Sequence, residues 1–178
     1  MDEYSLRQEP RILVNFLGSS SSGKTTSAAI LFAKLKELGI ECEYLVEQAK
    51  LYLACLNVSS RGNVTLYPED HERIFMTQLI AESTMGLYLP SGGILVSDSS
   101  PLNSFLYLED DDIQHLVSQL GNYLKQPRLT FWCPGGENIS KITMNVPNLN
   151  IIPLLGDPSK RAESVLSHLM GKLIGSTP

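Results

Sequence analysis

Residues 11–26, with the sequence RILVNFLGSSSSGKTT, decide the fold. The first part is short, apolar and β-rich, which predicts a buried strand of a parallel sheet over residues 12–17. The second part satisfies the pattern G-x-x-x-x-G-K-[ST] in full. An apolar stripe of helical period then runs to Gly39, which predicts a helix that ends in a left-handed glycine cap. Strand, glycine-rich loop and helix therefore follow one another in the order of a phosphate-binding loop.

The chemistry of such a loop explains its residue types. Glycines let backbone N–H groups curl around phosphate oxygens, and the N-terminus of the following helix adds a favourable dipole. We expect Lys24 to contact the β- and γ-phosphates and Thr25 to offer its hydroxyl to Mg²⁺. A serine–glycine turn with an incidental lysine is the alternative. The predicted nucleotide-binding residues are Gly18, Ser19, Ser20, Ser21, Ser22, Gly23, Lys24, Thr25 and Thr26.

Composition limits the class of protein. With 178 residues, 43% of them hydrophobic, the chain can bury one good core. We expect a single domain over residues 1–178, with residues 1–10 as an N-terminal extension and residues 134–148 as a possible lid. The net charge of −5 disfavours a protein that wraps nucleic acid. Three scattered cysteines and the lack of a long apolar run predict a cytoplasmic protein without a membrane partner.

Periodicity predicts the remaining elements. Further strands are expected over residues 41–47, 93–98, 128–133 and 150–155, and helices over residues 48–60, 69–87, 110–125 and 158–174. A shorter helix is expected to begin behind Pro101 within residues 99–108. Residues 11–47 have the length of one βαβ unit.

Two carboxylates follow predicted strands, Glu47 after the second and Asp98 after the third. Ligands of an open parallel sheet bind outside the carboxyl ends of its strands. Asp98 is therefore a candidate for the Mg²⁺ shell or for orienting the acceptor, and a helix N-cap is its alternative role. Glu47 is a candidate proton acceptor or hydrogen-bond partner of an acceptor hydroxyl, and an exposed strand-end charge is its alternative. With Lys24, these two acids are the predicted catalytic residues.

Several cations could reach phosphate in a cleft, although each alone is also typical of a solvated surface. They are Arg61, Arg73, Arg128, Lys50 and Lys141. The three histidines are not spaced like metal ligands, and we predict no functional role for them. The acidic cluster of residues 110–112 indicates the solvated start of a helix.

Five pieces of the chain, taken in order, carry a family resemblance. They are the phosphate loop, LKELG at residues 35–39, VEQAK at residues 46–50, FMTQ at residues 75–78 and SDSSPL at residues 97–102. Over residues 10–108 the chain resembles small phage-type P-loop ATPases and kinases, related to nucleoside and nucleotide kinases and to nicotinamide riboside kinase. The resemblance implies a P-loop NTPase α/β/α sandwich with a five-stranded parallel sheet of nucleotide-kinase type. It also implies that Glu47, Gln78 and Asp98 face an acceptor pocket.

The chain departs from the family pattern in two places. An extra serine separates Asp98 from Pro101, and residues 134–141 hold Lys141 where related lids carry arginines. A lysine lacks the bidentate geometry of a guanidinium. We therefore expect efficient phosphoryl transfer to require an arginine from another segment or from a partner.

Three functions are compatible with these features. The leading one is a kinase that transfers the ATP γ-phosphoryl group, with Mg²⁺, to a nucleoside, a nucleotide or a related hydroxyl or phosphate acceptor. The alternatives are a kinase acting on modified phage DNA and a nucleotide-dependent regulatory ATPase. A phage-encoded protein would act in the host cytoplasm. ATP is favoured over GTP because no guanine-reading N-K-x-D motif occurs. Glu47, Arg73 and Gln78 are the expected substrate-binding residues, and the oligomeric state stays open, a homodimer included.

Overall fold

The computed structural model describes residues 11–60, 64–135 and 139–174. Five strands form one parallel sheet in the order β2-β3-β1-β4-β5. The strands are β1 (Ile12–Leu17), β2 (Cys42–Leu45), β3 (Ile94–Ser97), β4 (Arg128–Trp132) and β5 (Ile151–Pro153). The predicted α/β fold with a five-stranded parallel sheet is therefore confirmed. Within the described ranges, no helix is long and apolar enough to cross a membrane.

Six α-helices accompany the strands in the part of the chain that the structure describes. They are α1 (Lys24–Glu37), α2 (Gln48–Ser60), α3 (Pro68–Tyr88), α4 (Asp110–Val117), α5 (Ser140–Asn145) and α6 (Pro158–Ile174). The predicted cap at Gly39 is confirmed, because this residue has φ 71° and its N–H donates to the carbonyl of Lys36. The expected extension of residues 1–10 lies outside the described residues.

Two sequence predictions need correction. The helix expected over residues 110–125 ends at Val117 and continues as two short 3-10 turns, which are separated by Gly121 in an irregular conformation. The element behind Pro101 is a 3-10 helix, Pro101–Leu106. Strands β1 and β2, connected by α1, form the predicted βαβ unit, and β3 lies between these two strands in the sheet.

The pleat of β1 divides the core between the two faces of the sheet. Leu13 and Leu17 pack on the side of α3 and the 3-10 helix, whereas Val14 and Phe16 pack on the side of α1 and α6. Because side chains alternate along a strand, one buried segment anchors both layers. This packing on both faces holds β1 in the middle of the sheet. Gly18 follows the carboxyl end of β1 and lies between the two layers.

Candidate functional site

The loop between β1 and α1 has a strained backbone. Gly18 has φ 141°, and a Cβ atom there would lie 2.4 Å from the carbonyl oxygen of Cys133. Gly23 has φ 87°, and Ser21, with φ 65°, is the only non-glycine residue with a positive φ in the described ranges. Such a left-handed backbone is costly for residues that carry a Cβ. The glycines of the motif are thus required by the path of the loop.

Polar groups inside the loop lack partners within the described chain. The hydroxyl oxygens of Ser19 and Ser22 are buried without a hydrogen bond. Helix α1 has neither a side-chain N-cap bond nor an acidic residue in its first turn. Buried polar groups are normally satisfied, and an uncapped helix N-terminus favours an anion. The loop therefore has the properties of a phosphate cradle.

Lys24 lies at the centre of this cradle. Its Nζ donates to the carbonyl oxygens of Gly18 at 2.7 Å and Ser19 at 2.6 Å, and the residue is 5% exposed. Burial lowers the pKa of Lys24, while the nearby charges of Glu47 and Asp98 act in the opposite direction. Two backbone carbonyl oxygens thus hold the ammonium group at the loop.

The ammonium group of Lys50 contacts both predicted metal ligands, Thr25 and Asp98. Lys50 Nζ contacts Asp98 Oδ2 at 2.7 Å and Glu47 Oε2 at 3.3 Å, and it donates to the hydroxyl of Thr25. Burial lowers the pKa of Lys50, but the hydrogen bond and charge of Asp98 outweigh it and raise that pKa. One cation therefore already lies among the oxygens that the sequence assigns to Mg²⁺.

These oxygens fit a magnesium ion. Asp98 is fully buried, and among the described residues its Oδ1 has no hydrogen-bond partner, so this carboxylate oxygen could bind a metal ion. The described residues contain no group of three or more His, Cys, Asp or Glu side chains that could hold a metal alone. Mg²⁺ commonly binds one or two protein oxygens together with substrate phosphates and water, which suits Thr25 and Asp98. Ser100, and not Asp98, caps the 3-10 helix that follows, because its Oγ accepts from the backbone N–H of Leu102.

Asn103, which sequence reasoning missed, connects Glu47 with the phosphate loop. Its Oδ1 accepts from the backbone N–H of Gly18 at 2.9 Å, and its Nδ2 donates to Ser99 Oγ at 2.7 Å. Ser99 in turn lies 3.5 Å from Glu47 Oε1. Glu47 is thus coupled to the cradle through two polar side chains.

Gln78 supports the site from inside. Its Oε1 accepts from the backbone N–H of Gln48, and its Nε2 donates to Glu82 and Ser97. The residue is 2% exposed. Its amide is hydrogen-bonded to the protein and positions the start of α2, and Gln78 also lines the cavity described below, as expected of a residue that faces an acceptor pocket.

The other predicted cations lie away from the loop. Arg73, expected to bind substrate, is exposed and lies 3.4 Å from the hydroxyl of Tyr52 and 3.9 Å from Asp70. Lys141 donates to the carbonyl of Leu108 at 2.7 Å, and Arg128 stacks on the ring of Tyr123. Arg61 lies outside the described residues, as do residues 136–138 of the expected lid.

An arginine that the sequence did not single out contacts the loop instead. Nη1 of Arg161, in the first turn of α6, donates to the carbonyl of Ser22. The same guanidinium nitrogen lies 3.2 Å from the position that a Cβ on Gly23 would occupy. Its Nε is buried and has no hydrogen-bond partner among the described residues. Arg161 therefore braces the loop from the side of α6.

A cavity of about 430 Å³ opens next to these groups. It shares Ser20 with the phosphate loop and contains Glu47, Lys50 and Asn103 in its wall. Its size suits a small organic molecule. The cavity therefore borders the phosphate loop directly at Ser20.

Comparisons with known proteins agree on the fold. No protein-family model matches the sequence, and no curated protein matches it significantly. Among solved structures, the chain is similar to the APS kinase CysC of Mycobacterium tuberculosis, with 14% identity over 92% of this chain and 99% of that one and a TM-score of 0.50. It is similar to thymidylate kinase from Candida albicans, with 17% identity over 93% of each chain and a TM-score of 0.55.

A third similar structure is the NadR protein in complex with NAD and AMP-PNP. The identity is 13%, the TM-score is 0.64, and 96% of this chain matches 51% of that one. The chain thus spans about half the length of NadR. At these identities the likeness concerns the fold alone, a five-stranded parallel sheet with flanking helices.

Proposed function

We propose that the protein is an ATP-dependent phosphotransferase, a kinase that moves the γ-phosphoryl group to a nucleoside, a nucleotide or a related hydroxyl or phosphate acceptor. One observation carries the proposal: the phosphate cradle and a cavity of acceptor size share Ser20, and Glu47 lies in the cavity wall. A nucleotide-binding regulator needs the cradle but no second cavity with a carboxylate.

The cradle supports a nucleoside triphosphate as the donor. NadR, a structural neighbour, is described with AMP-PNP, and a loop of this kind binds the phosphates through backbone N–H groups and a lysine. Thr25 and Asp98 would hold Mg²⁺, which would neutralise negative charge on the phosphates.

The residues of this chain position the reacting groups. Lys24 binds the phosphate oxygens, and Asn103 fixes the loop relative to Ser99 and Glu47. Glu47, with its side chain 18% exposed, is placed to accept the proton of an acceptor hydroxyl. Because phosphoryl transfer depends mainly on positioning and electrostatics, these contacts supply the positioning part of what the protein must contribute.

The charge distribution favours a small acceptor over DNA. A basic groove for nucleic acid would draw on Arg61, Arg73, Lys125 and Arg128. Arg61 lies outside the described residues and Arg73 is exposed on α3. Lys125 and Arg128 precede or begin β4, at the end of the sheet opposite to Gly18. Arg128 is also occupied by Tyr123, with its guanidinium carbon 3.9 Å from the ring centroid. Nucleic-acid binding relies on several phosphate-neutralising cations in one groove, and these two do not border the cavity.

An acceptor screen tests the proposal. The protein would be incubated with γ-labelled ATP, Mg²⁺ and, one at a time, nucleosides, nucleotides and single-stranded oligonucleotides. We expect label to appear on one small-molecule class and ADP to be released in equal amount. Label on the oligonucleotide would favour the DNA kinase, and ATP hydrolysis that no acceptor stimulates would favour the regulatory ATPase.

A further inference from the structure

The ammonium group of Lys50 joins three separate segments of the site. It contacts Asp98 Oδ2 at 2.7 Å, donates to the hydroxyl of Thr25 and lies 3.3 Å from Glu47 Oε2. Thr25 lies in the first turn of α1, Asp98 directly follows β3, and Glu47 lies between β2 and α2. Lys50 itself is in the first turn of α2. Its ammonium therefore lies where these elements meet.

A magnesium ion would need almost the same position. Bound to the Thr25 hydroxyl and to either oxygen of Asp98, it would have Mg–O distances of about 2.0–2.1 Å. It would then lie very close to an ammonium that already contacts both residues. Two cations at such a short separation repel each other strongly in a partly buried site. The ammonium and the metal ion therefore exclude each other there.

Asp98 needs a cation in either state. Its side chain is fully buried, and a buried carboxylate is costly unless it is paired with a positive charge. Lys50 supplies that charge in this structure, at 2.7 Å from Oδ2. A metal ion that replaced the ammonium would supply it instead. An exchange of one cation for the other thus leaves Asp98 paired throughout.

The side chain of Lys50 is able to make this exchange. It is 44% exposed, and its four-carbon stem rotates freely. Lys50 also lines the cavity beside the phosphate loop, as Glu47 does. Because Glu47 is three positions away along the chain, it can keep its ion pair with Lys50 when the ammonium turns from Asp98 into the cavity.

We propose that Lys50 and Mg²⁺ occupy one cation position between Thr25 and Asp98 in turn. The ammonium of Lys50 occupies it in the nucleotide-free protein and leaves it when Mg²⁺ enters with the nucleotide. Without Mg²⁺, the ammonium stays in place and partly replaces the metal charge beside the phosphates. The inference rests on the nucleotide and Mg²⁺ binding of the proposed function, and it does not depend on the acceptor.

Nucleotide affinity with and without Mg²⁺ tests the exchange. The Kd for AMP-PNP would be measured by calorimetry for the parent and for Lys50→Gln, once in EDTA and once in excess Mg²⁺. Glutamine removes the charge and keeps an N–H donor for Asp98. In EDTA we expect Lys50→Gln to bind about tenfold or more weaker than the parent, because a charged hydrogen bond near the phosphates is lost. In Mg²⁺ its Kd should be close to that of the parent.

Lys160→Met is the matched control. Lys160 also forms an ion pair with an acid that lies three positions earlier and just before a helix, Asp157, at 3.9 Å. It does not line the cavity, so both Kd values should equal those of the parent. Equal weakening of AMP-PNP binding by Lys50→Gln under both conditions would overturn the exchange, and so would parent-like affinity in EDTA.

A measurement on the parent alone covers the case in which Lys50→Gln does not fold. Lysines would be acetylated with acetic anhydride in the presence of saturating AMP-PNP, and the rate at Lys50 would be compared with that at Lys160 by mass spectrometry. We expect the rate ratio to rise when Mg²⁺ replaces EDTA, because the ammonium is released from Asp98. A ratio that stays the same or falls would overturn the exchange.

Failure of the proposed kinase function would look different. The acceptor screen would then give no phosphorylated product, while the effect of Lys50→Gln on the Kd for AMP-PNP would still differ between EDTA and Mg²⁺.

Discussion

Replacing Lys24 by alanine removes the cation that we expect at the β- and γ-phosphates. Its Nζ lies 2.7 Å and 2.6 Å from two carbonyl oxygens of the loop, so the group is already held where the phosphates would bind. A hydrogen bond to a charged group contributes about 1.5–3 kcal/mol, and each 1.4 kcal/mol is a tenfold change. We expect calorimetric titration to give an ATP affinity about 10- to 150-fold weaker than that of the parent.

The same change should leave the fold intact. The variant leaves two loop carbonyls without their ammonium partner, but it also removes a buried charge whose pKa is lowered by burial. These two effects on the free energy of unfolding oppose each other, so the melting temperature without ligand should move little. Lys34→Ala is the matched control on the same helix, since Lys34 forms an exposed ion pair with Glu163. Parent-like ATP affinity in a folded Lys24→Ala protein would refute the phosphate-loop assignment.

Three further changes follow from the site and the core. Asp98→Asn should weaken Mg²⁺-dependent ATP binding and turnover together, and ATP affinity that depends on Mg²⁺ as in the parent would exclude Asp98 from the metal shell. Arg161→Ala removes the hydrogen bond that Arg161 donates to the loop carbonyl of Ser22. The Kd for ATP should rise roughly tenfold, which corresponds to about one hydrogen bond to a charged group. An unchanged Kd would show that Arg161 contributes only to packing. Burial raises the pKa of the Glu82 carboxyl above its ordinary 4.5, so the folded state binds this proton more tightly than the unfolded state does. The free energy of unfolding should therefore fall as the pH rises above 4.5. Unfolding by urea at a series of pH values should show a flatter profile in Glu82→Gln, and an identical slope would contradict this.

Much of the fold could be predicted because its information is local. Helix α6 begins at Pro158 and ends at Ile174, as the helical period of its apolar residues predicts. The exception is the stretch after Asp110, where the apolar period continues past Val117 but the backbone turns at Gly121. Periodicity shows which residues are buried, and it does not show where a helix breaks into 3-10 turns.

The site could be predicted only in part for the same reason. A local motif identified the loop, and strand ends pointed to Glu47 and Asp98, which the structure brings to one ammonium group. The contacts of Asn103 with Gly18 and of Arg161 with Ser22 join residues 85 and 139 positions apart. A single sequence has no pattern for such contacts. They depend on how the 3-10 helix and α6 pack around β1.

The most direct test of the kinase proposal compares Glu47→Gln with the parent in one measurement. ADP release and phosphorylated acceptor would be quantified together, with ATP affinity measured in parallel. Loss of the proton acceptor should lower transfer by about 100-fold or more, while the Kd for ATP stays nearly the same. In the parent, ADP and phosphorylated acceptor should form in a one-to-one ratio. Parent-like transfer by Glu47→Gln, or ADP release without phosphorylated acceptor in the parent, would contradict the proposal.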